Sequence, residues 1–300
     1  MRFGTFFIFL CACSEYSVDP IEKNNDSPDD SATDPTDIGT ANPSTEPDSE
    51  PEAPVNEGPA PVAICTATPS TVSPPFEEAI FDGTSSMNPN GGSLTYRWEL
   101  ISYPEGTAYP SFSSFYASTP TVPYMPDVAG EYIGRLTVTN QEGLTDTCDA
   151  VVNAVPAQNL WVEMYWTYSG DDMDLHLIAP NNNWNNALES DYDCYYGNCV
   201  WSYLDWGQQG YTGDDPILDL DDIPGVGPEN INIADPQSNG SYTVVVHDYP
   251  GSVYNGVNNV TVNIYLDGSL VWSATKGISV EDSYTPFATI NWATRSITSL

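Results

Sequence analysis

Basic side chains are nearly missing from this chain: six lysines and arginines stand against 42 aspartates and glutamates in 300 residues, giving a formal charge of −36. That deficit excludes nucleic acid as a partner, because phosphate binding depends on Lys and Arg displacing counterions. It excludes a polybasic membrane footprint for the same reason. Histidine is scarce too, and neither His176 nor His247 sits beside a Gly-rich nucleophile turn of the kind a hydrolase triad uses. Long apolar runs are also lacking. The run from Phe3 to Leu10 is far below the ~20 residues of a spanning helix, and nowhere does an apolar stripe persist over three helical turns. What the chain does hold is 19 Tyr, 8 Trp, 26 Pro and 22 Gly, a composition that predicts a turn-rich, all-β protein. The length accommodates two ordinary domains.

The first residues read as an export signal: Met1-Arg2, the short apolar run, then Leu10-Cys11-Ala12-Cys13. This resembles the bacterial lipobox, with Leu three places before the modified Cys and a small residue just before it. The resemblance implies a signal peptide of residues 1–12, cleavage after Ala12 and acylation of Cys13. Several acyl chains together anchor stably, whereas one does not. Cys11 fits less well, since Leu10 would then occupy the small-residue position. Ser14 follows the cysteine where an acid is absent, which in enterobacterial rules favours the outer membrane and the cell surface. The alternative is an ordinary secretory signal with Cys13 incidental. Residues 13–60 then form a tether: from 14 to 60 there are 13 acids, one base (Lys23) and 8 Pro. So little apolar surface cannot offset ordering entropy, so a disordered, self-repelling spacer is expected, ~40 Å long as a coil and ~145 Å if stretched.

From residue 61 the composition changes to short β runs between turns. Leu94, Tyr96 and Trp98 share one face of a strand, and Tyr132, Leu136 and Val138 one face of another. Phe81-Asp82-Gly83-Thr84-Ser85-Ser86, Tyr96-Arg97-Trp98 and Gly130-Glu131-Tyr132 with Leu136-Thr137-Val138-Thr139 resemble a PKD domain, an immunoglobulin-like sandwich of extracellular proteins. The likeness spans 61–155; Tyr103-Pro104-Glu105-Gly106-Thr107 departs from its usual Gly-Asp-Gly turn. In such a sandwich the first and last strands end close together, which implies a disulfide between Cys65 and Cys148. A spacer or a protein–protein module is the role this resemblance implies.

Residues 157–300 again read as strands. Val260, Val262, Ile264 and Leu266 alternate with Thr261, Asn263 and Tyr265, and Asp267-Gly268 suits a two-residue hairpin turn. A second β-sandwich is the natural solution. Between Asp171 and Asp235 there are 14 acids and no Lys or Arg. If Met173, Leu175 and Leu177 face the core, Asp172, Asp174 and His176 face outward together. If Leu218 and Leu220 face inward, Asp219 and Asp221 take the other side, with Asp222 beyond. Carboxylates ~5 Å apart repel by ~3 kcal/mol at an effective dielectric of 20. Solvent exposure, protonation or a bound cation relieves this, and an all-oxygen ligand set selects Ca²⁺ over Zn²⁺. The candidate ligands are Asp172, Asp174, Asp219, Asp221 and Asp222, with Glu229 or backbone carbonyls completing the shell. The other reading is a solvated acidic edge.

Asp172-Met173-Asp174-Leu175-His176-Leu177-Ile178-Ala179-Pro180, Cys194-Tyr195-Tyr196-Gly197-Asn198-Cys199 and Leu218-Asp219-Leu220-Asp221-Asp222 resemble a bacterial domain of YfaP-type proteins. A weaker likeness runs to prepeptidase C-terminal domains, some of which bind Ca²⁺ and matrix polymers. Cys194 and Cys199 read as a local disulfide. Around them stand eight aromatics in 28 residues, from Trp184 to Tyr211. They form either a small core under a long loop or a stacking platform for sugar rings or a peptide, with Tyr195, Tyr196, Trp201 and Trp206 as its members. The expectation is therefore a non-enzymatic, lipid-anchored surface protein with a Ca²⁺-dependent recognition or adhesion module for a glycan or protein ligand. The alternatives are a structural envelope component and, less favoured, a glycoside hydrolase, whose general acid needs shielding from its partner carboxylate.

Overall fold

A computed structural model describes residues 58–300 apart from 201–203, 224 and 255. The residues expected to form a signal peptide, Cys13 with its expected acylation, most of the expected tether and Trp201 lie outside the described residues. The described residues belong to one compact unit, and it contains two β-sandwiches. Among the described residues no helix is long and apolar enough to cross a membrane.

The first sandwich is built from β1 (Thr66–Thr68), β2 (Thr71–Val72), β3 (Ala79–Asp82), β4 (Thr95–Ser102), β5 (Thr121–Tyr124), β6 (Gly130–Thr139) and β7 (Thr145–Ala154). One sheet has the order β1-β3-β5 and the other β2-β7-β6-β4. The alternation read in the sequence is what fills the space between them: Phe81, Tyr132, Leu136 and Val138 are fully buried, and Trp98 nearly so. Phe81, Trp98 and Phe112 meet edge to face with centroids 5.0 to 6.2 Å apart, the arrangement that aromatic quadrupoles favour. Gly134 belongs in this wall because a Cβ there would stand 2.6 Å from the Phe81 ring. A disulfide joins Cys65 to Cys148, with Cα atoms 6.0 Å apart, and it ties the β1 end of one sheet to β7 in the other.

The second sandwich comprises β8 (Leu160–Trp166), β9 (Met173–Ile178), the single-turn α1 (Trp184–Ala187), β10 (Asp193–Cys194), β11 (Ile217–Leu220), β12 (Glu229–Ile233), β13 (Ser241–Asp248), β14 (Asn258–Leu266), β15 (Ser269–Ile278), β16 (Ser283–Asn291) and β17 (Ser296–Ser299). Its sheets have the orders β10-β9-β13-β16-β17 and β11-β12-β8-β14-β15. Val162, Met164, Leu175, Leu177, Val244, Val246, Val262 and Ile264 fill the core between them. The Asp267-Gly268 hairpin forms as expected, pairing Leu266 with Ser269. Both turn residues have positive φ, 51° and 75°, as a turn matching the strand twist requires.

Asn263 and Tyr265 do point away from the core, yet they do not reach water. The first sandwich covers that face of the sheet: Trp161 and Tyr265 pack on Ala129, and the Ala129 N–H donates to Glu163 Oε2 at 2.9 Å. Every residue of β8 is consequently buried.

Candidate metal centre

The acidic cluster is assembled at an edge of the second sandwich from β9, the residues just after β11, and β12. Met173, Leu175 and Leu177 of β9 enter the core, which leaves Asp174 and His176 on the opposite face. That face was expected to be open. It is closed, because Asp174 is 3 % exposed and His176 fully buried. Register explains the closure: β13 sets His247 opposite Asp174, and β16 sets Tyr284 opposite His247. Tyr284 stacks on His247 at 4.0 Å, while Tyr195 stacks on His176 at 5.2 Å. Asp193 Oδ2 takes the His176 Nδ1 position at 2.7 Å. His247 reaches Asp174 Oδ2 at 3.5 Å through Nδ1 and Asp282 Oδ1 at 3.3 Å through Nε2. Burial works against a charge on His247, but hydrogen bonds and attraction from Asp174 and Asp282 outweigh it and hold its pKa above the ordinary value.

A β-bulge decides which aspartates join. Leu218 pairs with Ile231, but the next pair is Leu220 with Asn230, so Asp219 is the extra residue. The insertion reverses the faces of everything after it. Leu220, expected in the core, turns instead toward a cavity lined by Phe112 and Tyr124 of the first sandwich. Asp219 turns the same way, and its Oδ2 accepts a hydrogen bond from Asn232 Nδ2 at 2.7 Å. Its assignment as a ligand is corrected: the structure does not bring Asp219 to the cluster. Asp221, moved to the other side by the same bulge, does join.

Glu229 opens β12 opposite Met164 and therefore points inward. It is fully buried. Its Oε2 accepts the Leu175 N–H at 2.8 Å, a donor left free because β10 pairs only with Leu177 and Ile178. Its Oε1 accepts the Asp222 N–H at 3.4 Å. One carboxylate oxygen each from Asp174, Asp221 and Glu229 lies within 4.8 Å of the others. Oxygens bound to one Ca²⁺ at ~2.4 Å stand up to about that far apart. Asp172 and Asp222 flank the group. Asp222 Oδ2 is engaged by the Gly227 N–H at 2.8 Å, whereas Asp172 Oδ1 is buried without a hydrogen-bond partner.

The electrostatics follow from that packing. Burial, then repulsion from Asp174, Asp221, Asp222 and Asp171, pushes Asp172 up to about 7. Burial and the Asp174 charge raise Asp221, and they raise Glu229 well above the carboxylate range. Burial raises Asp222. Apart from His247 beside Asp174, no basic side chain pairs with these carboxylates among the described residues. The second sandwich has only Lys276 and Arg295; Lys276 donates to the carbonyls of Pro286 and Leu300, and Arg295 pairs with Asp267.

The aromatic run does not form one platform. Trp206 is 5 % exposed and packs in the core, stacked on Tyr242, as the small-core reading has it, and Tyr195 has one face covered by His176. Tyr196 is 38 % exposed, edge-on to Tyr195 and Tyr249. Cys194 and Cys199 form the expected local disulfide. The His176–Asp193 pair and the part played by Tyr284 and His247 were not anticipated, since they come from register between distant strands.

A family model for a PKD domain matches residues 68–154. No curated protein matches the sequence. Among solved structures, one described as the structural basis for the promiscuous specificity of carbohydrate-binding modules from the β-sandwich superfamily is 14 % identical to this chain. The match covers 77 % of this chain and 84 % of the other with a TM-score of 0.27, at which no site can be carried across.

Proposed function

We propose that this chain is a non-catalytic cell-envelope recognition protein, lipid-anchored through Cys13, whose distal sandwich is stiffened by a Ca²⁺ ion. Asp174, Asp221 and Glu229 supply the first oxygens, and Asp172 and Asp222 stand beside them. The observation that carries this reading is the convergence of three carboxylates, from β9, β12 and the residue just after β11, within 4.8 Å, two of them buried, with no Lys or Arg paired to them among the described residues. Such a group is held together at a cost in repulsion unless a cation or protons compensate it. All-oxygen donors suit Ca²⁺, and the ion would link the β9 edge to the β11–β12 end and so fix the loops between them. The PKD match at 68–154 supports a spacer that carries the head away from the membrane.

The decisive measurement is a thermal melt with Ca²⁺ and with chelator. At a hundredfold excess over Kd the ion adds about 2.7 kcal/mol, which raises the midpoint of a unit this size by about 5–10 °C. Glu229→Gln and Asp174→Asn should each abolish the rise, while Asp219→Asn should leave it intact. An unchanged midpoint across millimolar Ca²⁺ removes the ion from the reading. The anchor is tested separately: labelled palmitate should enter the wild-type chain in a bacterial host and be lost in Cys13→Ala, and incorporation that survives the substitution contradicts the assignment.

A further inference from the structure

We infer that the second sandwich carries a saccharide site, separate from the carboxylate cluster, in the cavity bordered by Pro180, Asp191, Tyr192, Asp205, Trp206 and Gln237, and that its ligand is a sugar without acidic substituents. The inference rests on the reading of this chain as a recognition module, and not on the cation. The cavity has a volume of about 470 Å³, within the range of small-molecule sites.

Its walls are fixed by contacts that leave the lining side chains free. The Trp206 indole N–H donates to the Asp191 carbonyl at 2.8 Å, and the Trp206 backbone N–H donates to Asp215 Oδ1 at 2.7 Å. The Ala179 N–H donates to the Tyr192 carbonyl at 2.8 Å. The Gln237 backbone N–H donates to the Tyr242 hydroxyl at 2.9 Å. Backbone at four points of the rim is thus held by the core, the condition for a preformed site.

The side chains that remain are a recognition set. Tyr192 is 57 % exposed. The Asp191 carboxylate and the Gln237 carboxamide have no hydrogen-bond partner among the described residues. Asp205 spends Oδ1 on the Gly210 N–H at 2.8 Å, which leaves its second oxygen. An open phenol ring offers a face to the C–H surface of a pyranose with little entropy lost. Two carboxylates and one carboxamide accept from, and in the amide's case also donate to, neighbouring hydroxyls. The lining is rich in acceptors and holds no Lys, Arg or His, so uronate, sulfate and phosphate groups are repelled, as they are by the −36 charge of the whole chain.

The test is retention of the full-length chain on an array holding neutral, amino-substituted and uronic-acid oligosaccharides together with basic peptides. Neutral or amino-substituted sugars should be retained and uronic acids should not. Tyr192→Ala and Gln237→Ala should each weaken the retained sugar about tenfold with an unchanged melting midpoint, both side chains being clear of the core, while Glu229→Gln should leave binding intact. The inference is overturned by retention of no saccharide, by retention of basic peptides alone, or by sugar binding that ignores both substitutions. A Ca²⁺-dependent midpoint shift without sugar retention would sink this site and leave the cation standing.

Discussion

Replacing Cys65 and Cys148 together by alanine should lower the stability of the folded unit by about 4 kcal/mol, because the bond closes a loop spanning 83 residues. The effect acts through the unfolded chain, which gains the freedom the crosslink had removed. It should appear as a fall of about 10 °C in the melting midpoint, measured without reductant, and wild-type protein in reductant should fall further, because it loses the Cys194–Cys199 bond as well. The comparison with Cys194 and Cys199 makes the test specific. That bond spans only 5 residues, so the same entropy argument gives roughly 2 kcal/mol for its removal. Equal losses for the two pairs would show that local strain or packing, and not loop closure, sets the contribution of each. The larger value is a substantial share of the ~5–15 kcal/mol that holds a typical domain folded.

The sequence was most informative where a local rule decides the outcome alone. Alternation placed Tyr132, Leu136 and Val138 on one buried face, and the Asp267-Gly268 pair announced its own hairpin. Glu229, named beside backbone carbonyls as a candidate, does come within 4.8 Å of Asp174 and Asp221. The failures share a physical cause: period two says which side chains stand together, not what stands on top of them. Asp174 and His176 do share a face, yet whether that face meets water depended on Tyr284, Tyr195 and His247 arriving from other strands. Nothing in β8 foretold that Trp161, Glu163 and Tyr165 would lie beneath the first sandwich. The bulge at Asp219 is a different case. Leu218-Asp219-Leu220-Asp221 alternates without a flaw, and only pairing with β12 inserts the extra residue that sends Asp219 one way and Asp221 the other. Tyr192 stood in the aromatic run from the start, but only the burial of Trp206 and the stacking of Tyr195 on His176 separated it from these neighbours as an open ring.

The covered face of β8 leads to the second large effect, an inverted response of stability to pH. Glu163 is fully buried between the sandwiches. It accepts hydrogen bonds from the Ala129 N–H at 2.9 Å, Asn263 Nδ2 at 3.2 Å and the Tyr265 hydroxyl at 3.4 Å. Burial outweighs these donors, and its pKa is pushed up to about 7. The folded chain therefore holds a proton that the unfolded chain releases near the ordinary glutamate value. The stabilisation is fully present below about 4.5 and is lost as pH rises through about 7, by about 3 kcal/mol in total. Asp248, raised to about 6 by burial, Asp171 and Glu281, adds in the same direction. With Ca²⁺ chelated, denaturant midpoints should thus decline between pH 5 and pH 8, opposite to a protein held by ionised, paired carboxylates. Glu163→Gln keeps the shape and an acceptor for the Ala129 N–H while removing the charge. Its midpoints should fall less steeply and should exceed those of the wild type at pH 8. Parallel curves for the two proteins would mean that Glu163 is ionised throughout, its three donors sufficing after all to replace the water it has lost.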